Sequence, residues 1–180
     1  ADGAIARLLV QVRTFGFHLA ALDVRQSAGP LRTAVAALVA GFADAADEPA
    51  RQALLARALA ALEREAPPAA PADAPAEAAA VLAAVDAIAA GVRDHGARAL
   101  GSVIISMAEQ PSDVLAALYL LRRAGVGRTL PPLPIVPLFE TVEDLARAQA
   151  TMEALYGHPA YRPHLEACGW QQEIMLGYSD

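Results

Sequence analysis

The chain has 180 residues, 56% of them hydrophobic and 19% charged, with a net charge of −6 and a pI of about 5.2. That length suits one domain with a sizeable core, and the lack of any run of five Lys or Arg excludes the basic patch a nucleic-acid surface needs. A single cysteine, Cys168, cannot close an internal disulfide; with no stretch of about 18 apolar residues and no basic leader, the reading is of a cytoplasmic protein with no membrane partner.

The elements follow from periodicity. Ile5, Leu8, Leu9 and Val12 predict a short amphipathic helix ending near Gly16. Phe15 to Val24 changes period and predicts a buried strand whose polar residues come at its C-terminal end. Pro30 suits a first helical turn, with Leu31, Val35, Leu38, Val39 and Phe42 as the stripe; Pro49 opens another helix, with Leu55, Leu59 and Leu62. Residues 66–76 hold prolines among alanines and predict a surface loop. Val81, Val85, Ile88 and Val92 mark a long helix.

The second half is cleaner. Ala99 to Met107 predicts a strand, with Val103, Ile104 and Ile105 β-branched in a row. Ser112 is the expected cap of a helix through Leu121, with Gly125 ending it. Pro134 to Phe139 predicts a strand, Thr141 to Asp144 a capping box opening a helix to Tyr156, Pro159 the start of a short helix to Ala167, and Trp170 to Tyr178 a last strand. The start at Ala1 and the end at Asp180 read as a piece cut from a longer chain.

Strands alternating with helices argue for an α/β fold with a parallel sheet. An open doubly wound sheet and part of a (β/α)8 barrel both fit, but no Gly-rich phosphate loop follows any strand, which disfavours a dinucleotide or P-loop fold. In either architecture the chemistry sits beyond the C-terminal strand ends. The predicted strands end on Asp23, Arg25 and Gln26; on Ser106, followed by Glu109 and Gln110; on Glu140; and on Ser179 and Asp180. Two carboxylates, Glu140 and Asp180, suit a hard divalent cation that completes its shell with water and substrate oxygens. Arg25 offers a planar fork for phosphate or carboxylate. The competing readings are a helix cap for Glu140, a surface position for Asp180, and an Arg25–Asp23 ion pair. His18, His95, His158 and His164 lack metal-ligand spacing, Leu118, Leu120 and Leu121 read as a core face, and Cys168 reads as a small filler before a turn.

Four blocks, in this order, resemble the phosphoenolpyruvate carboxylase family. They are Phe15-Gly16-Phe17-His18-Leu19 with Leu22-Asp23-Val24-Arg25-Gln26; Ile104-Ile105-Ser106-Met107 with Pro111-Ser112-Asp113-Val114-Leu115; Pro137-Leu138-Phe139-Glu140-Thr141; and Ile174 to Asp180. The resemblance is weakest between about Leu31 and Ala97. It implies that residues 1–180 are a partial domain, about half of a (β/α)8 TIM-type barrel with extra helices, within a larger helix-rich enzyme. That enzyme family joins phosphoenolpyruvate and bicarbonate into oxaloacetate and phosphate with Mg2+ or Mn2+, and its members are usually homotetramers.

Carried onto matching positions, the resemblance makes Glu140 and Asp180 metal ligands and Arg25 a contact for the phosphoenolpyruvate phosphate. It places the catalytic histidine and lysine outside this stretch, so the isolated chain is expected to be inactive. Ser27-Ala28 stand where some members carry Glu after the Arg-Gln pair, which removes one support for Arg25. Two alternatives stay open: another metal-dependent phosphoenolpyruvate or pyruvate barrel, such as a dikinase or lyase, and a non-catalytic helical assembly module.

Overall fold

The computed structural model describes residues 3–177 apart from Phe17 and Leu19. Helix α1 (Ala4–Phe15) ends where Gly16 takes φ 62° and its amide donates to Val12 O at 2.9 Å. Strand β1 (Leu22–Ser27) therefore begins later than the predicted span from Phe15 to Val24. Phe15 belongs to the helix, because a left-handed glycine stops a helix without starting a strand.

Helix α2 (Ala28–Ala36) follows β1 directly, with Pro30 in its first turn. Leu38, Val39 and Phe42, read as part of its stripe, lie beyond its end in turns, where Val39 and Phe42 are still buried. Helix α3 (Glu48–Leu62) is capped by Asp47, which accepts from the Ala50 amide at 2.8 Å, and it buries Leu55, Leu59 and Leu62 as its spacing predicts. The Pro/Ala-rich stretch is a loop up to Pro75, held at Pro68 O by the Arg123 Nε donor. Helix α4 (Ala76–His95) and one 3-10 turn (Ala97–Ala99) lead into β2 (Leu100–Ser106).

Helix α5 (Pro111–Arg123) is buried on every side from Pro111 to Leu121, which confirms the core role of Leu118, Leu120 and Leu121. Its N-cap is Gln110, not Ser112. Proline is suited to the first helical position, so Pro111 moves the cap one residue ahead of itself. Ser112 instead donates its amide and hydroxyl to Glu48, at 2.8 and 2.7 Å, which sets an anion at the positive end of α5. Asp113, fully buried, accepts from Arg32 at 2.7 Å and from the amides of Glu109 and Gln110 at 3.0 Å each. This carboxylate fastens the loop after β2 to α2.

Strand β3 (Ile135–Phe139) leads to helix α6 (Val142–Gly157), whose Thr141–Asp144 capping box forms as predicted. Helix α7 (Arg162–Ala167) starts after a turn rather than at Pro159. The last strand, β4, is Met175–Leu176 alone, far shorter than Trp170 to Tyr178. Trp170 sits at φ 60° and closes the turn after α7, so it cannot also start a strand. Tyr178 lies outside the described residues.

The four strands pair in the order β1-β2-β3-β4, each neighbour parallel. A doubly wound sheet reverses its strand order at a switch point; among the described strands this sheet does not. Val24, Val103, Ile105, Ile135 and Phe139 point to the helices and join the main core. By alternation the other face carries Arg25, Ile104 and Val136, which share a register, and then Leu138 and Glu140. Strand β3 is buried along its length, but the first strand is not buried as predicted: Leu22 of β1 is 66% exposed. Helix α1 buries none of its residues.

A candidate metal and anion site at the strand ends

Arg25 and Glu140 reach the same rim from two strands that are not neighbours. Arg25 Nη2 donates to Glu140 Oε1 at 2.6 Å, across the width of β2. This replaces the sequence-level alternative of an Arg25–Asp23 pair. Asp23 is engaged elsewhere, accepting from the Ser102 amide and hydroxyl at 2.8 and 2.9 Å. Glu140 does not cap α6 either, since Thr141 and Asp144 do so between them. Its carboxylate is left for the rim.

The second Glu140 oxygen, Oε2, accepts from the Met107 amide at 2.9 Å. Met107 follows β2 directly and takes φ 55°, a left-handed conformation that costs a side-chain-bearing residue about 1 kcal/mol or more. No sequence signal marks this support, because methionine is not a residue that favours the left-handed region. Gly177 closes the third side. Its amide donates to Phe139 O at 2.9 Å, and a Cβ added there would stand 3.1 Å from Glu140 Cγ. The glycine lets the chain leaving β4 run against Glu140.

Tyr178, Ser179 and Asp180 lie outside the described residues, so of the predicted carboxylate pair the structure places Glu140 alone. Each carboxylate oxygen has two acceptor sites, and among the described residues each Glu140 oxygen has one hydrogen-bond partner. Lone-pair capacity therefore remains for a hard cation of the Mg2+ type, which takes one or two protein carboxylates and keeps several waters. Among the described residues no group of three or more His, Cys, Asp or Glu is clustered to hold a metal. With Arg25 56% and Glu140 23% exposed at the side chain, the ion pair adds at most about 1 kcal/mol to stability. Such a pair costs little to exchange for another anion.

The histidines lie elsewhere. His18 is outside any strand, His95 ends α4, and His158 follows α6 with burial lowering its pKa. His164 lies within α7 and is buried. Burial, and then the charge of Arg122, lower its pKa to about 4. Its Nε2 lies 3.7 Å from Cys168 Sγ, and burial raises the thiol pKa, so this pair is neutral rather than a thiolate nucleophile. Next to it, Tyr161 bonds Gln172, which donates to Ile135 O at the start of β3, the end away from the rim. No helix among the described residues is long and apolar enough to cross a membrane.

The family model described as phosphoenolpyruvate carboxylase matches residues 1–180. The chain is 48% identical over 184 residues to the phosphoenolpyruvate carboxylase of Xanthomonas oryzae pv. oryzae (strain MAFF 311018), covering 98% of this chain and 19% of that protein. It is 39% identical over 193 residues to the enzyme of Rhodothermus marinus, covering 98% and 20%. It is 38% identical over 194 residues to that of Corynebacterium diphtheriae, covering 100% and 21%. The chain thus spans about a fifth of the length of these relatives. With four sequence blocks, a parallel sheet and a family match along its whole length, the chain belongs to the phosphoenolpyruvate carboxylase family.

Proposed function

We propose that this chain supplies part of the metal and phosphoenolpyruvate site of a phosphoenolpyruvate carboxylase, as about half of a (β/α)8 barrel. The observation that carries the reading is the meeting of Arg25 and Glu140 at the C-terminal rim, from β1 and β3. Four parallel strands in unbroken chain order support the barrel, since such a sheet can close on itself only by adding further strands beyond its edges.

A bicarbonate oxygen takes the phosphoryl group, breaking the ester P–O bond of phosphoenolpyruvate to leave carboxyphosphate and the enolate of pyruvate. The C–O bond of carboxyphosphate then breaks, releasing phosphate, and the carbon dioxide carbon bonds to the enolate methylene to give oxaloacetate. Glu140 and Asp180 would hold Mg2+ or Mn2+. When bound, the metal supplies positive charge where enolate and phosphoryl oxygens gain negative charge. Arg25, exchanging its weak pair with Glu140 for the dianionic phosphate, binds and orients the substrate. The Met107 amide keeps the Glu140 carboxylate in place as Arg25 leaves. The catalytic histidine and lysine, and the contacts of a homotetramer, would come from the rest of the protein.

The test is oxaloacetate formation by the full-length protein from phosphoenolpyruvate and bicarbonate with Mg2+. Activity that Arg25→Ala weakens at least tenfold in kcat/KM, by removing a charge-assisted contact worth about 1.5–3 kcal/mol, supports the reading. An active protein indifferent to Arg25→Ala contradicts it.

A further inference from the structure

The β1–β2 ladder is irregular at one place. Leu22 pairs with Leu100, but Val24 pairs with Val103. Between these pairs β1 has one residue, Asp23, and β2 has two, Gly101 and Ser102. This is a β-bulge, a feature that re-aims side chains and is frequent beside active sites. An extra residue disrupts the ladder locally, and here the Ser102 amide bonds a side chain: Asp23 Oδ1 accepts from it and from the Ser102 hydroxyl at 2.8 and 2.9 Å. Gly101 makes room for that carboxylate, because a Cβ there would collide with Asp23 Oδ1.

We propose that Asp23 is a positioning residue, whose carboxylate pins this bulge and thereby sets Arg25 on the face and at the height from which it meets Glu140. Without the extra residue, Val24 would pair with Ser102 and Arg25 with Val103. Side chains directly opposite share a face, so a one-residue slip turns Arg25 to the face of Val103, which is 4% exposed among the helices. The slip also moves Arg25 about 3.3 Å down the strand. Either change breaks the 2.6 Å contact with Glu140.

Both Ser102 bonds end on the same oxygen of Asp23. Asparagine offers an equivalent oxygen, so Asp23→Asn keeps the pin and removes the charge. Asp23→Ala removes both, and Gly101→Ala displaces the carboxylate while leaving its charge intact.

The proposal rests on Arg25 contacting the substrate phosphate, and the experiment separates the two ideas. In the full-length protein, Asp23→Ala and Gly101→Ala raise KM for phosphoenolpyruvate about tenfold, with a smaller change in kcat. Asp23→Asn stays within about twofold of the parent, and Asp23→Ala combined with Arg25→Ala is no worse than Arg25→Ala alone. An Asp23→Asn variant as impaired as Asp23→Ala, or effects of Asp23→Ala and Arg25→Ala that multiply, overturns the proposal. If Arg25→Ala is silent, the phosphate reading fails, and hydrogen exchange at the Ser102 amide then decides on the pin. Protection lost in Asp23→Ala and kept in Asp23→Asn supports it; equal protection in both overturns it.

Discussion

Replacing Gly177 by alanine perturbs Glu140 without touching its chemistry. The added Cβ would stand 3.1 Å from Glu140 Cγ and 3.4 Å from its Cα. Carbon atoms rest at about 3.5–4.0 Å, so the Glu140 side chain must shift by about half an ångström. Its carboxylate is held on one side by Met107 and on the other by Arg25, so the shift loosens at least one of those bonds. Metal–oxygen distances tolerate only about 0.2 Å, and a misplacement of about 1 Å at an active site costs about a hundredfold. Gly177→Ala should therefore raise the Mg2+ concentration for half-maximal activity of the full-length protein about tenfold. Gly157→Ala is the control, because Gly157 lies in α6 with open space around its Cβ position, and it should leave that concentration unchanged. A Gly177→Ala protein with the parent's metal dependence would refute the placement of Glu140 as a ligand beside the chain leaving β4.

His164 gives a pH signature. Its pKa is about 4 in the fold and about 6.5 when exposed, so below pH 6.5 the unfolded chain binds the extra proton first. Its neutral burial is thus fully favourable above pH 6.5 and costs stability as pH falls from there to about 4. Between pH 7 and 5 the loss from this group is about 2 kcal/mol, and melting of the full-length protein should be less acid-sensitive in His164→Phe; an unchanged pH dependence would contradict the assignment. The 180-residue chain alone should lack carboxylase activity and should self-associate, because β1 and β4 each end the described sheet. A soluble, cooperatively melting monomer in analytical ultracentrifugation and calorimetry would count against the second half of that statement.

The rim was legible because polar residues gather at the strand ends: Glu140 is the first charge after the apolar run of β3, and Arg25 follows Asp23 where the apolar residues before β1 give way. The carboxylate support was not. Met107 acts through its backbone amide and Gly177 through an absent Cβ, and neither leaves a mark in hydropathy. The bulge was illegible for a different reason: two residues facing one is a property of a strand pair, not of either strand. Element ends slipped where one residue serves two signals. Phe15 fits both the stripe of α1 and an apolar strand, and Trp170 has the β propensity of a strand but closes a turn at φ 60°. The exposure of β1 and α1 could not be read either, because apolar periodicity names the face to be covered and not what covers it.

Whether Glu140 holds the metal is decided by Mn2+ binding to the full-length protein, followed by the loss of the free-ion paramagnetic resonance signal, in the parent and in Glu140→Gln. Glutamine keeps the shape and an acceptor oxygen but loses the charge a hard cation needs. The variant should bind Mn2+ with a Kd at least about tenfold weaker, with the fold retained. Equal affinity in the two proteins would contradict a ligand role for Glu140.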